Sequence, residues 1–203
     1  MKAMKTRGYF IVFEGIDGGG KSTQIKLASK YFEEKGYVVE LHMEPTDGEI
    51  GSLLWSYMRS ENRSFEPETE ALLFAADRIE HGKTISKAIE DGKVVISDRY
   101  LHSSLAYQGA ARVDPPWMKS LNKHAKKPDL VVLLDIDPGK SLMRVSDRAK
   151  TVFEELEYLK KVRTEYLRYA ELGELEVVDA SKSIEEVQSQ IESLINKLLE
   201  MSS

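Results

Sequence analysis

The sequence contains no cysteine, which excludes disulfides, thiolate metal ligands and a cysteine nucleophile. It also lacks a positive balance. Acidic residues outnumber basic ones by 34 to 29, for a formal net charge of −5, whereas a nucleic-acid-binding surface usually carries a basic excess. No nucleic-acid partner is expected, and an anionic ligand must be gripped by a local cluster of cations. Long apolar runs are missing as well. Tyr9-Phe10-Ile11-Val12-Phe13 is far shorter than the roughly 20 residues that span a bilayer and too short for the apolar part of a signal peptide. The basic opening Met1 to Arg7 has no small-residue cleavage pattern, so a cytoplasmic location without a membrane partner is expected. Repeats, low-complexity tracts and linkers are likewise absent. A length of 203 residues then suits one domain.

What is present is an alternation of apolar runs and amphipathic stretches. The runs are Tyr9 to Phe13, Tyr37 to Leu41, Val94 to Ile96, Leu130 to Leu134 and Leu175 to Val178. Runs without polar alternation predict strands covered on both faces, as in parallel sheets. Gly36 and Gly92 stand where C′ glycines end helices. Pro67 and Pro138 suit first helical positions, with Asp137 as a cap for the second. Ser183-Ile184-Glu185-Glu186 matches a capping box before a last helix ending near Glu200. This order predicts an α/β fold with an open parallel sheet and helices on both faces. The stretch Arg144 to Thr151, carrying Arg144, Asp147, Arg148 and Lys150, lacks an apolar face; it reads either as a solvated helix end or as a basic lid.

The strongest chemical signal is Gly15-Ile16-Asp17-Gly18-Gly19-Gly20-Lys21-Ser22, which fits G-x-x-x-x-G-K-[ST]. It follows an apolar strand and precedes a helix with Ile25, Leu27, Ala28, Tyr31 and Phe32, the context such a motif requires. Glycines let successive N–H groups turn inward onto phosphate oxygens, and the helix N-terminus adds positive potential. Lys21 then reaches the β- and γ-phosphates, and the Ser22 hydroxyl binds Mg²⁺. The ATP-binding set is Gly15, Asp17, Gly18, Gly19, Gly20, Lys21, Ser22 and Thr23. Asn122-Lys123-His124-Ala125 opens the guanine-reading N-K-x-D pattern but has Ala where the carboxylate belongs, which argues against a GTPase. Two strands end in Asp. Asp98 is followed by Arg99, a cation that suits a metal-holding carboxylate facing a transferring phosphoryl group. Asp135 is followed by a helix entry and reads as structural.

Taken together, several segments resemble the thymidylate kinase (dTMP kinase) family. They are Phe13 to Asp17 with Lys21 to Gln24, Glu44-Pro45 with Ile50-Gly51, and Leu72-Leu73-Phe74-Ala75-Ala76-Asp77-Arg78. Asp98-Arg99-Tyr100 with Ser103 to Gly109, and Lys127-Pro128-Asp129-Leu130, complete the set. The resemblance spans roughly residues 9 to 170. It implies a P-loop NTPase fold, with a five-stranded parallel sheet and a short lid at about residues 144–152 of a single kinase domain. It also implies transfer of the γ-phosphate of ATP to dTMP with Mg²⁺, giving dTDP and ADP on the route to dTTP. By the same resemblance, Phe74 stacks on the thymine ring and Arg78, one turn on, fixes the acceptor. Arg99 grips the acceptor phosphate through its fork of donors. Pro45, Ser103, Tyr107 and Gln108 border base and sugar, and Asp17 reads the sugar 3′-hydroxyl near the reacting oxygens. Lys21, Asp17, Arg99 and a lid arginine form the catalytic set, with Ser22 and Asp98 at the metal.

Three positions depart from the family pattern. Gly18 stands where some relatives have a P-loop arginine. Val152-Phe153-Glu154 has no arginine before its aromatic residue, which makes Arg148 the first candidate lid residue, ahead of Arg144 and Lys150. Met43 stands where many relatives place an arginine. A kinase of another or broader pyrimidine acceptor range and a non-catalytic nucleotide-binding module are the alternative readings. The resemblance also implies a homodimer, with Leu53, Leu54, Trp55 and Met58 as residues able to face a partner or the core.

Overall fold

A computed structural model describes residues 7–145 and 152–201. Five strands form one sheet: β1 (Tyr9–Glu14), β2 (Val39–Met43), β3 (Val94–Asp98), β4 (Leu130–Asp135) and β5 (Glu176–Asp179). All four neighbouring pairs are parallel, and the spatial order is β2-β3-β1-β4-β5. Among the described residues, eight helices connect or follow them: α1 (Lys21–Glu34), α2 (Glu49–Arg59), α3 (Pro67–Glu90), α4 (Leu101–Ala110), α5 (Pro115–Leu121), α6 (Pro138–Val145), α7 (Val152–Glu171) and α8 (Ile184–Glu200). Arg148 and Lys150, the first and last lid candidates, lie outside the described residues.

Burial explains the sheet. Every residue of β1 is buried, because β3 and β4 flank it and helices cover both faces; each such apolar side chain contributes on the order of 1.5–3 kcal/mol. Helix α1 meets the sheet through Ile25, Ala28 and Phe32, spaced at 3 and 4, and packs beside α8; α3, α4 and α7 form the opposite layer. The edge strands differ from the expectation of two covered faces. β2 leaves Leu41 and Met43 about half exposed and β5 leaves Val177 so, since each has one neighbour and incomplete helical cover. Both also begin later than the apolar runs suggested.

The punctuation follows the sequence. Gly36 and Gly92 adopt φ of 86° and 79° after α1 and α3. Pro67 begins α3, Asp137 Oδ1 accepts from the Gly139 and Lys140 amides at the start of α6, and Ser183 and Glu186 form the reciprocal capping box. No helix among the described residues is long and apolar enough to cross a membrane.

Candidate active site

The C-terminal ends of β1, β3 and β4 converge on one edge, the place where open parallel sheets gather ligands. The loop between β1 and α1 can occupy it only because of Gly15. Its φ is 134°, and a Cβ there would lie 2.6 Å from the Leu134 carbonyl oxygen of β4, so any side chain would push the loop off the sheet. Helix α1 starts within this loop, with Ser22 and Thr23 exposed on its first turn. Lys21 is buried and donates to the carbonyls of Gly15 and Ile16 at 3.0 and 3.2 Å. Burial, reinforced by Arg99, lowers its pKa to about 8, against the pull of Asp98, Asp17 and Glu14.

Arg99 is the hub of the site. It stands directly after β3 with φ of 69°, a left-handed conformation that costs a non-glycine residue about 1–3 kcal/mol. The surroundings hold it there: its amide donates to the Phe13 carbonyl at 2.9 Å, and its own carbonyl accepts from Ser97 Oγ at 2.8 Å. The guanidinium then meets Asp17 Oδ1 at 2.7 Å, Ser103 Oγ at 3.1 Å and the Tyr107 hydroxyl at 3.3 Å. Asp17 and Lys21 are 3.8 Å apart. Burial alone would raise the Asp17 pKa, but Arg99 and Lys21 hold it below the ordinary value.

Beside them, Asp98 keeps one buried carboxylate oxygen, Oδ1, without a hydrogen-bond partner among the described residues. Burial raises its pKa while Lys21 and Arg99 oppose the rise. A magnesium site built on substrate phosphates takes one or two protein oxygens, and an unpaired Asp98 oxygen with an exposed Ser22 hydroxyl fits that need. Asp135, read as structural, does form a bidentate pair with Arg163 at 2.7 and 2.8 Å.

Helix α3 carries the second half of the site. Its buried stripe runs through Ala71, Ala75, Arg78, His81, Ile85 and Ala88, so a guanidinium and an imidazole occupy positions that otherwise hold apolar groups. Arg78 is only 1% exposed. Its Nη1 donates to Asn122 Oδ1 at 2.7 Å, and Nη2 donates to Ser104 Oγ and the Tyr100 carbonyl at 3.0 and 3.2 Å. Nε remains unpartnered among the described residues, as does the buried Gln108 Oε1. Phe74, one turn before Arg78, is half-buried and not among the side chains packed on the main core. Pro45 is buried at the end of β2, after a cis peptide; its carbonyl accepts from Trp55 Nε1 at 3.0 Å. The structure thus gathers Asp17, Lys21, Asp98, Arg99, Ser103 and Tyr107 around one charged centre and Arg78, Ser104 and Asn122 around another.

Three supporting residues, Glu14, Asp77 and Asn122, escaped the functional reading of the sequence. Glu14 is fully buried, and its carboxylate accepts from the amides of Tyr100 and Ser103, from Ser103 Oγ and from the Tyr166 hydroxyl, at 2.6 to 3.1 Å. It ties the start of α4 to β1 and α7. Asp77 accepts from the Thr46 amide and hydroxyl at 2.8 and 2.6 Å and so anchors the loop carrying Pro45. Asn122, set aside with the incomplete guanine motif, clamps Arg78. Arg144, a secondary lid candidate, donates to the carbonyls of Gly18 and Ala180 at 3.3 Å, and Ser141 Oγ donates to the Asp17 carbonyl; α6 is therefore docked on the P-loop. A charged residue directly after an apolar run was the available signal for Glu14 and Asp77. Asn122 gave none, since its partner lies 44 residues away.

The family model described as thymidylate kinase matches residues 13–191. A "Probable thymidylate kinase" of Thermococcus gammatolerans is 48% identical over 94% of this chain and 97% of its own length. A protein of the same name from Pyrococcus horikoshii is 48% identical over 93% and 96%. One from Methanocaldococcus jannaschii is 44% identical over 90% and 93%.

Proposed function

The chain belongs to the thymidylate kinase family, and on that premise we propose that it transfers the γ-phosphoryl group of Mg-ATP to dTMP, giving dTDP and ADP for dTTP synthesis. The observation that carries the reading is the Lys21–Asp17–Arg99 cluster, which sets a phosphate-loop lysine and a second cation on one carboxylate. Phosphoryl transfer asks the protein for alignment and charge neutralisation more than for covalent chemistry. Amides of the loop from Gly15 to Thr23 and the Lys21 ammonium hold the ATP phosphates. Arg99 turns part of its fork from Asp17 to the acceptor phosphate, whose oxygen attacks the γ-phosphorus as ADP leaves. Asp17, released from part of that ion pair, accepts from the sugar 3′-hydroxyl. Ser22 and Asp98 would hold Mg²⁺, which when bound would neutralise charge on the phosphate oxygens.

In the acceptor pocket Phe74 offers a ring face to the base. Arg78 supplies a donor to a base carbonyl, and Gln108 Oε1 accepts from the ring N–H of thymine; Pro45, Ser103 and Tyr107 border base and sugar. Arg148 supplies the lid charge as the site closes over the phosphates, which keeps water from the γ-phosphorus. The chain acts as a single kinase domain with its lid at about residues 144–152, in the cytoplasm and as a homodimer. The test is ADP release with Mg-ATP and dTMP, dUMP, UMP, CMP, AMP or GMP as separate acceptors. A response confined mainly to dTMP is expected; a stronger response to another acceptor would overturn the pocket assignment.

A further inference from the structure

A line of titratable side chains runs from the edge of the sheet to Arg78. Lys93 Nζ lies 2.7 Å from Glu40 Oε1, and Glu40 Oε2 lies 3.4 Å from His42 Nε2. His42 Nδ1 is 2.8 Å from His81 Nε2, with the two rings stacked at 5.0 Å. His81 Nδ1 is 3.0 Å from Glu44 Oε1, and Glu44 Oε2 is 2.7 Å from Arg78 Nη2. Glu44, His81 and Arg78 are all buried. The line crosses from β2 to α3, then to the loop after β2, then back to α3.

Donor and acceptor chemistry orders the protons. Arg78 stays charged, so Glu44 beside it is the ionised partner and only accepts. His81 must then carry its proton on Nδ1 to meet Glu44. The remaining contact, His81 Nε2 to His42 Nδ1, holds a single proton, with one ring donating and the other accepting. Both Glu44 oxygens are thus engaged, one by His81 and one by the charge of Arg78. The second contact is an ion pair without an aligned hydrogen bond, so its geometry depends on what grips the other oxygen. The Tyr100 ring meets the His81 ring edge-on at 6.3 Å, and Asp47 is the remaining charged group near His42. Burial and His81 hold the His42 pKa below its ordinary value.

We propose that His81, acting through Glu44, is a positioning residue for Arg78 and so sets affinity for the acceptor nucleotide without contributing to ATP binding. A carboxylate held on one side only can rotate; held on both, it fixes the plane of the guanidinium that Asn122 grips from the opposite edge. The P-loop and Arg99 stand on β1, α1 and the end of β3, outside this line. The proposal rests on the reading that Arg78 serves the acceptor pocket.

The test compares KM for dTMP, KM for ATP and kcat in His81→Leu, His81→Asn and Arg78→Lys. Loss of a hydrogen bond to a charged group predicts a rise of about tenfold in dTMP KM for His81→Leu, with ATP KM and kcat changed less than about twofold. His81→Asn keeps a donor near the place of Nδ1 and should restore most of the loss, which a purely volumetric role would not allow. An unchanged dTMP KM, or equal rises in both KM values, overturns the proposal. If Arg78→Lys also leaves dTMP KM unchanged, the pocket reading itself fails; if only Arg78→Lys raises it, the relay alone fails. Should His81→Leu not fold, Glu44→Gln reads the same coupling at almost constant volume, and an unchanged dTMP KM there is equally decisive against it.

Discussion

Lys21 is the residue on which pH acts most directly. In the free protein its pKa lies at about 8, and phosphate binding needs the charged ammonium. Raising the pH through 8 therefore removes the form that holds ATP, so kcat/KM for ATP should fall above that pH. Stability should move the other way. Between about pH 8 and the ordinary lysine value near 10.4, the unfolded chain binds more protons than the folded one at this position, and stability rises with pH wherever that holds. A pH series of kcat/KM beside urea unfolding at the same pH values separates the two signs; Lys21→Arg should abolish the first limb. At this scale the sequence was legible where a motif fixes spacing, as from Gly15 to Ser22. It was silent where partners are remote, as for Asn122 on Arg78 or Tyr166 on Glu14. Arg78 shows the difference within one residue: its place in the motif was readable, its burial among Glu44, Ser104 and Asn122 was not.

At the scale of elements, the loop from β2 to α2 carries Pro45, one border of the proposed acceptor pocket. Asp77 and Trp55 hold it through side chains, while Gly51 lets α2 approach its backbone. A Cβ at Gly51 would lie 2.1 Å from the Thr46 carbonyl oxygen, and backbone cannot swing aside as a side chain can. Gly51→Ala should then destabilise the fold by about 1–3 kcal/mol and raise KM for dTMP more than KM for ATP, because the P-loop is carried by β1 and α1. Urea unfolding and the paired KM values check both parts. Strand identity was readable from apolar runs, yet the ends of β2 and β5 were not. Pairing with a single neighbour sets those limits, and no local residue encodes them. These helix boundaries were clear because Gly36 and Gly92, at two helix ends, and the Ser183 box, at a helix start, act locally.

At the scale of the whole molecule, the proposed dimer acquires a more specific surface. Leu54 is buried within the chain, which removes it from a partner-facing set. Leu53 on α2 and Leu72 and Ile79 on α3 remain 45–50% exposed. Leu72 and Ile79 are seven residues apart, hence on one helix face. A charge at the centre of such a face opposes association, so Leu72→Glu should shift the protein from dimer to monomer in light scattering while leaving its unfolding midpoint at high dilution nearly unchanged. A wild-type mass equal to one chain would remove the dimer from the account.

The central claim is that one site, organised by Arg99, moves a phosphoryl group from ATP to dTMP. Its most direct measurement is the yield of dTDP and ADP from Mg-ATP and dTMP, compared between the wild-type chain and Arg99→Ala. The account predicts equal amounts of the two products, with a fall in kcat of about 100-fold or more in the variant. ADP without dTDP, or a variant as fast as the wild type, would contradict it.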